Sequence, residues 1–295
     1  TYTEVERIYL NEDSKNEFYE IVFNLFSSFN IIKEKSRLRE KIEFDSDDHE
    51  IVLKDSDNFQ LKKKIKLKSY NLIEEFMVLT NYVIANFLKQ NNVSSIFRNH
   101  QKPTNEKLKT LKQLIKSLDI NYSGNLKSQK DFNKLINIFK KMRKSFLNDF
   151  LLKAQNRAFY STKNEGHFGL SLDNYLHFTS PIRRYSDLIV HRDLINFYFK
   201  RTKKIGDEIS EHLNIQEKKA DLIERTILDK ACGIYMQRFK KKEFMGFVDA
   251  IETFGIFIKA VEYPFSGLFR NRFNKYDNKQ FIIGQLVKFK IKKIN

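Results

Sequence analysis

The chain has 295 residues, 41% of them hydrophobic, with 28 phenylalanines and no tryptophan. That is enough for one large domain, or a large and a small one, each with a real core. The 54 Lys and Arg against 37 Asp and Glu leave +17, so the expected partners are polyanions, nucleic acid first, although abundant Lys, Asn, Ile and Phe also fit an AT-rich coding sequence. The single cysteine, Cys232, excludes an internal disulfide framework and suits a reducing cytoplasm. No apolar run reaches the ~18 residues of a membrane span and no secretory leader is visible. The chain opens on Thr1 rather than Met, which points to a piece of a longer protein.

Residues 1–40 carry helical spacing, with Tyr2, Val5, Ile8 and Tyr9 and then Phe18, Ile21, Val22 and Leu25. Over 42–68 the pattern changes to short strand-like pieces among acidic and basic loops. Asp45, Asp47 and Asp48 lie there, and clustered carboxylates suit Mg²⁺, which demands oxygen ligands in fixed octahedral positions. A solvated acidic loop is the reading we prefer. The stretch 71–88 is apolar on most faces and predicts a buried helix. It places Glu74 and Asn81, seven apart, on one stripe, and Asn71 followed by Glu74 also has the form of a capping box. Arg98 and His100 end a predicted strand, where they either contact phosphate or cap a loop. Residues 105–160 read as scaffold helices with a turn at 122–124.

The densest stretch is 167–192, HFGLSLDNYLHFTSPIRRYSDLIVHR. Ser180 and Pro181 predict a helix start, with the Ser hydroxyl as cap and Pro at the first helical position, where its missing donor costs nothing. Ile182, Tyr185, Leu188 and Ile189 would then face a core. Arg183 and Arg184 fall in the first turn, where the helix dipole disfavours cations but free N–H groups and two guanidinium groups together suit a phosphate. Asp187 stands three and four residues on and offers an ordinary ion pair to one of the two arginines, leaving the other to be explained.

After residue 199 comes a basic turn and then a long charged helix from about 209 to 240. Its apolar face is Ile215, Ala220, Leu222, Ile223, Ile227 and Ala231, and Cys232 reads as a small core residue. From about 243 apolar and polar residues alternate, with Gly246, Gly255 and Gly267 at bends, which predicts strands.

The run GHFGL, then HFTSPIRRY and HR, resembles the signature of the RNase II/RNB family of 3′→5′ exoribonucleases, closer to its RNase R branch. LIEEFMVLTN and TYTEVERIYL resemble two further family segments, and IFRNHQKP a third. The resemblance implies an α+β fold: the mostly helical C-terminal portion of an RNB catalytic domain over 1–240, followed over 241–295 by a small OB-fold barrel of the ribosomal S1 type, expected to be incomplete. It implies a catalytic role for Arg183, charge neutralisation at the scissile phosphate. It also implies RNA contacts by Tyr2, Glu74, Arg98, His100, His177, Ser180 and Arg184. Phe254 and Phe257 are candidates for base stacking and, three apart in one strand, are expected on opposite faces.

The family's metal motif, a leading Asp before an Asp-x-Asp-Asp group, is missing, and Asp45, Asp47 and Asp48 imitate only its second half at the wrong place in the order. No metal ligand is therefore expected here, and Mg²⁺ belongs to the full-length enzyme. The cold-shock-type N-terminal domains are absent as well. The expected partner is single-stranded RNA, with no membrane and a monomeric state. The expected activity is release of nucleoside 5′-monophosphates by the parent, with the isolated chain nearly inactive. The alternative is a non-catalytic binder of single-stranded RNA.

Overall fold

The computed structural model describes residues 1–11, 14–44, 49–54, 58–201, 206–239, 242–270 and 280–294. Helices α1 (Tyr2–Leu10), α2 (Tyr19–Leu38) and α3 (Lys68–Gln90) pack together at the N-terminal end. Thr1 and Glu4 form a reciprocal capping box on α1, so this end is held by side chains. Ile8, Val22, Phe26, Phe29 and Leu72 close the small core between these helices, with Tyr9 stacked on Phe26 at 3.8 Å.

Between α2 and α3 lies the antiparallel hairpin β1 (His49–Leu53) and β2 (Phe59–Lys63), as the strand-like pieces over 42–68 lead one to expect. Asp45, Asp47 and Asp48 lie outside the described residues. The helix predicted over 71–88 begins earlier, at Lys68, so Asn71 is interior and the predicted capping box does not form. Its first turn is satisfied instead from α1, where buried Glu6 accepts the Ser69 N–H at 2.8 Å.

The segment 105–160 holds α4 (Asn105–Ser117), α5 (Gln129–Lys141) and α6 (Asn148–Ala154), flanked by the antiparallel pair β3 (Phe97–Asn99) and β4 (Phe159–Ser161). These helices enclose the largest apolar cluster, including the fully buried Leu126, Phe132, Leu135 and Leu151. Phe247 joins it from β5 (Glu243–Glu252), with its ring 4.9 Å from Phe146 and 5.7 Å from Phe150. β5 is an inner strand of a four-stranded antiparallel sheet with β6 (Gly255–Ala260), β7 (Ser266–Phe269) and β8 (Leu286–Lys290), in the order β7-β6-β5-β8. Ion pairs Lys153–Asp249 and Lys259–Asp149 add to the seat of this sheet on α6. The class is α+β, and a fifth strand of the expected barrel has no counterpart among the described residues.

Helices α7 (Tyr185–Tyr198) and α8 (Asp207–Met236) differ from their sequence reading in instructive ways. α7 starts at Tyr185 rather than at Pro181, because Arg184 is extended (φ −122°, ψ 119°) and ends a separate turn. Ile182 is 97% exposed and Tyr185 about half exposed, so of the predicted core residues only Ile189 is fully buried. On α8 the predicted apolar face is bare: Ile215, Leu222, Ile223 and Ile227 are each more than half exposed. The helix is anchored near its two ends, by Ser210 and Leu213 and by Cys232 and Met236. Periodicity tells which residues share a face but not whether another element covers it. Cys232 is a core residue, as read, with burial pushing its thiol up to about 11.

Candidate functional site

Helix α3 is the platform. Asn81, buried on it, holds the segment that leads to the two arginines. Its Nδ2 donates to the Tyr175 hydroxyl at 3.1 Å, and its Oδ1 accepts the N–H groups of Phe178 at 2.9 Å and Thr179 at 3.2 Å. His191 of α7 clamps the same segment, its ring stacked on Phe178 at 4.0 Å and its Nε2 2.9 Å from the Phe178 carbonyl.

The turn that follows is organised by Asp187, which is wholly buried. Its Oδ1 accepts the Ser180 N–H and the Arg184 Nη2, each at 2.8 Å, and its Oδ2 accepts the Ser186 hydroxyl at 3.0 Å. The N–H groups of Arg183 and Arg184 both return to the Ser180 carbonyl. Ser180 is therefore a hinge of this turn and not the side-chain cap of α7. The structure also settles which arginine takes the carboxylate. Arg184, a fifth exposed, is neutralised by Asp187; Arg183 is exposed and has no carboxylate partner among the described residues.

Behind the turn lies a polar layer. The Tyr160 hydroxyl is 3.3 Å from Ser186 Oγ and 2.9 Å from His177 Nδ1. Burial, together with the guanidinium groups of Arg184 and Arg98, pushes His177 down to about 2, so it is neutral at physiological pH. Arg98 packs over the Tyr160 ring at 4.5 Å and pairs with Glu217 at 2.8 Å. His100 is buried, and its Nδ1 accepts the Gly169 N–H at 3.0 Å. Burial lowers its pKa too, and drives that of the neighbouring His167 to about 3. His100, His177 and Arg98 thus have protein partners within this scaffold.

One turn along α3 from Tyr70 stands Glu74, and Tyr70 carries the ring of Tyr2 at 4.6 Å. Tyr2 is 44% exposed, and its carbonyl accepts the Ser69 hydroxyl at 2.9 Å. Glu74 projects toward solvent but is tethered by Lys41 at 3.0 Å. Lys41 also pairs with buried Glu75 at 2.8 Å, which in turn accepts the Ser36 hydroxyl at 2.7 Å. Tyr175 links the two halves of the site: burial raises its pKa, and Arg184, Lys41 and Glu74 all lie close enough to act on it electrostatically. Tyr2, Glu74, Asn81 and the 180–184 turn therefore follow one another along α3.

Sequence reasoning missed Lys41, Glu75, Tyr160 and Tyr175, and nothing in their local spacing marks them. Phe254 and Phe257 sit apart on the C-terminal sheet. They do not share a strand: Phe254 is in the β5–β6 turn, 60% exposed, and Phe257 is on β6. The turn brings their rings together edge to face at 6.0 Å, so the expectation of opposite faces is corrected. Among the described residues no three His, Cys, Asp or Glu side chains converge as candidate metal ligands. No helix of the described residues is long and apolar enough to cross a membrane.

The profile of the RNB domain family matches residues 1–200. Ribonuclease R of Buchnera aphidicola subsp. Schizaphis graminum is 29% identical over 288 residues, covering 91% of this chain and 39% of that protein. Ribonuclease R of Escherichia coli K12 is 27% identical over 290 residues, again 91% of this chain but 36% of that protein. Mycoplasma genitalium RNase R, solved in complex with ribose-methylated single-stranded RNA, superposes on the whole chain with a TM-score of 0.86 at 26% identity, the match covering 51% of that structure. The chain thus spans well under half of these curated relatives and about half of the solved one.

Proposed function

Since the chain belongs to the RNB family, we propose that it is part of a hydrolytic 3′→5′ exoribonuclease of the RNase R type, acting on single-stranded RNA and releasing nucleoside 5′-monophosphates. The observation that carries the reading is the division of labour between the arginines: Asp187 takes Arg184, and Arg183 stands exposed on a turn closed through the Ser180 carbonyl. A guanidinium so placed binds a phosphate bidentately and stabilises the charge that builds on it during cleavage.

Glu74 accepts the 2′-OH of the terminal ribose, the group that separates RNA from DNA, with Tyr2 beside it as an aromatic surface. His100, His177 and Arg98, having protein partners, act by shaping the segment that presents the arginines. Arg184 and Ser180 contribute at the edge of the phosphate site. Residues 241–295 form an RNA-binding unit of the OB type in which Phe254 and Phe257 together offer a stacking surface. The Mg²⁺ that activates water in such an enzyme is held by carboxylates outside these 295 residues, so the chain alone binds RNA as a monomer in the cytoplasm but barely cleaves it.

The test is binding and decay of a 3′-labelled single-stranded RNA, with Mg²⁺ and a salt series, beside Arg183→Ala and a matching DNA. Salt-sensitive binding that prefers RNA and depends on Arg183, with little decay, is the expected result. Rapid Mg²⁺-dependent digestion by this chain would overturn the placement of the metal carboxylates. RNA and DNA bound alike, with no effect of Arg183→Ala, would overturn the site.

A further inference from the structure

Lysine is seldom buried unless it is paired. Lys41, 9% exposed, lies between two adjacent carboxylates of α3, with its Nζ 2.8 Å from Glu75 Oε1 and 3.0 Å from Glu74 Oε1. The pairing with Glu75 is enough to explain its burial. Glu75 is 4% exposed, its other oxygen accepts the Ser36 hydroxyl at 2.7 Å, and Arg39 Nη2 donates to the same hydroxyl at 3.1 Å. Burial favours the neutral amine, but the bond to Glu75 and the charges of Glu74 and Glu75 outweigh it and hold the Lys41 pKa above the ordinary lysine value.

The second bond, to Glu74, needs a separate reason. The Glu74 side chain is 60% exposed, and an ion pair with so much solvent on one side contributes little to stability. Its effect is geometric. An unrestrained glutamate on a helix surface samples several rotamers. Glu74 is instead held by one oxygen from beneath, while its Oε2 has no partner among the described residues. A carboxylate fixed in this way receives a donor from outside without first giving up its own freedom.

We propose that Lys41 is the positioning residue for ribose selection: it anchors one oxygen of Glu74 so that the other accepts the 2′-OH of the RNA terminus. This rests on the reading of Glu74 given above. Lys41 touches no substrate in this account and acts only through Glu74. Its position is set by the segment after α2, which the Arg39 bond to the Leu170 carbonyl at 3.1 Å ties to the middle of the chain.

The test compares the affinity of the 295-residue chain for a 5′-labelled single-stranded RNA with that for the same strand ending in a 2′-deoxynucleotide, in EDTA so that nothing is cleaved. A charge-assisted bond to the 2′-OH predicts a preference of about tenfold or more for the ribose end. In Lys41→Met/Glu75→Met the buried pair leaves as a unit, so no buried carboxylate is stranded, and Glu74 remains. We expect that variant to melt near the wild type and bind a DNA strand normally, while its ribose preference falls to about twofold or less. Lys41→Arg, which keeps the cation, should retain the preference. If the double methionine variant does not fold, Lys41→Met/Glu75→Gln serves in its place.

A retained preference in a folded Lys41 variant, together with its loss in Glu74→Gln, would refute the role of Lys41 and leave the Glu74 reading intact. If Glu74→Gln keeps the preference, or the wild type shows none, the ribose reading fails and this proposal fails with it.

Discussion

Replacing Asp187 with alanine tests the architecture of the arginine turn most directly. The carboxylate is fully buried and accepts three hydrogen bonds, from the Ser180 N–H, the Arg184 guanidinium and the Ser186 hydroxyl. Removing one member of a buried ion pair costs about 3–5 kcal/mol, and stranding a buried N–H about 1–3 kcal/mol. The two losses fall on one network and do not add in full. The Arg184 side chain is also 21% exposed, so water recovers part of its charge, and the lower end applies: about 3 kcal/mol. For a chain of 295 residues, with an unfolding entropy of about 2.1 cal/mol/K per residue, that lowers Tm by about 5 °C. Asp187→Asn keeps an acceptor for Ser180 and should cost roughly half as much. Arg183→Ala, which removes an exposed side chain with no carboxylate partner among the described residues, should stay within about 0.5 kcal/mol of the wild type. Urea unfolding followed by circular dichroism measures all three. If Asp187→Ala lies within about 1 kcal/mol of the wild type, or Arg183→Ala is as damaging, the division between the two arginines is wrong.

The same Arg183→Ala variant should raise Kd for single-stranded RNA about tenfold or more at low salt and flatten the plot of log Kd against log salt by roughly 0.7, as fluorescence anisotropy would read. An unchanged slope would remove Arg183 from the phosphate site. Stability should also fall with acid. His177 and His167 titrate at about 2 and about 3 in the folded chain, below the ordinary 6.5, so the unfolded chain takes up more protons once the pH drops below 6.5. Their contribution is complete above that pH and is lost progressively toward the folded values, at up to about 2 kcal/mol for each histidine by pH 5. His177→Asn should flatten the fall in Tm between pH 7 and pH 5, and a profile identical to the wild type would show that His177 is not held neutral by the fold. Phe254→Ala should leave Tm nearly unchanged, since the ring is 60% exposed, yet weaken binding of single-stranded RNA by about 1–3 kcal/mol. Full retention of affinity would leave the turn of the C-terminal sheet without a stacking role.

The features readable from the amino-acid order are those whose cause lies within a few neighbouring residues. The apolar run inside α3, the alternation in β5 and β6, the excess of cations and the unbroken 167–192 signature all belong to this kind. Asp187 was visible as a partner for either arginine, because both lie within one turn of it. Which one it takes depends on the extended backbone at Arg184 and on the Ser180 N–H folding back seven residues, a geometry no periodicity contains. The start of α3 is not legible for a related reason, since the side chain that satisfies its first turn is Glu6, 63 positions away in the chain. The bare face of α8 follows from what fails to pack upon it, and Phe254 meets Phe257 because a turn, not a strand, separates them. Lys41 is the clearest case. By itself the sequence determined the elements, the cation excess and the family signature, all written in residues close together. Only the tertiary structure decided that this lysine reaches across 33 positions to Glu74, because a charged side chain takes its partner from whichever segment packs against it.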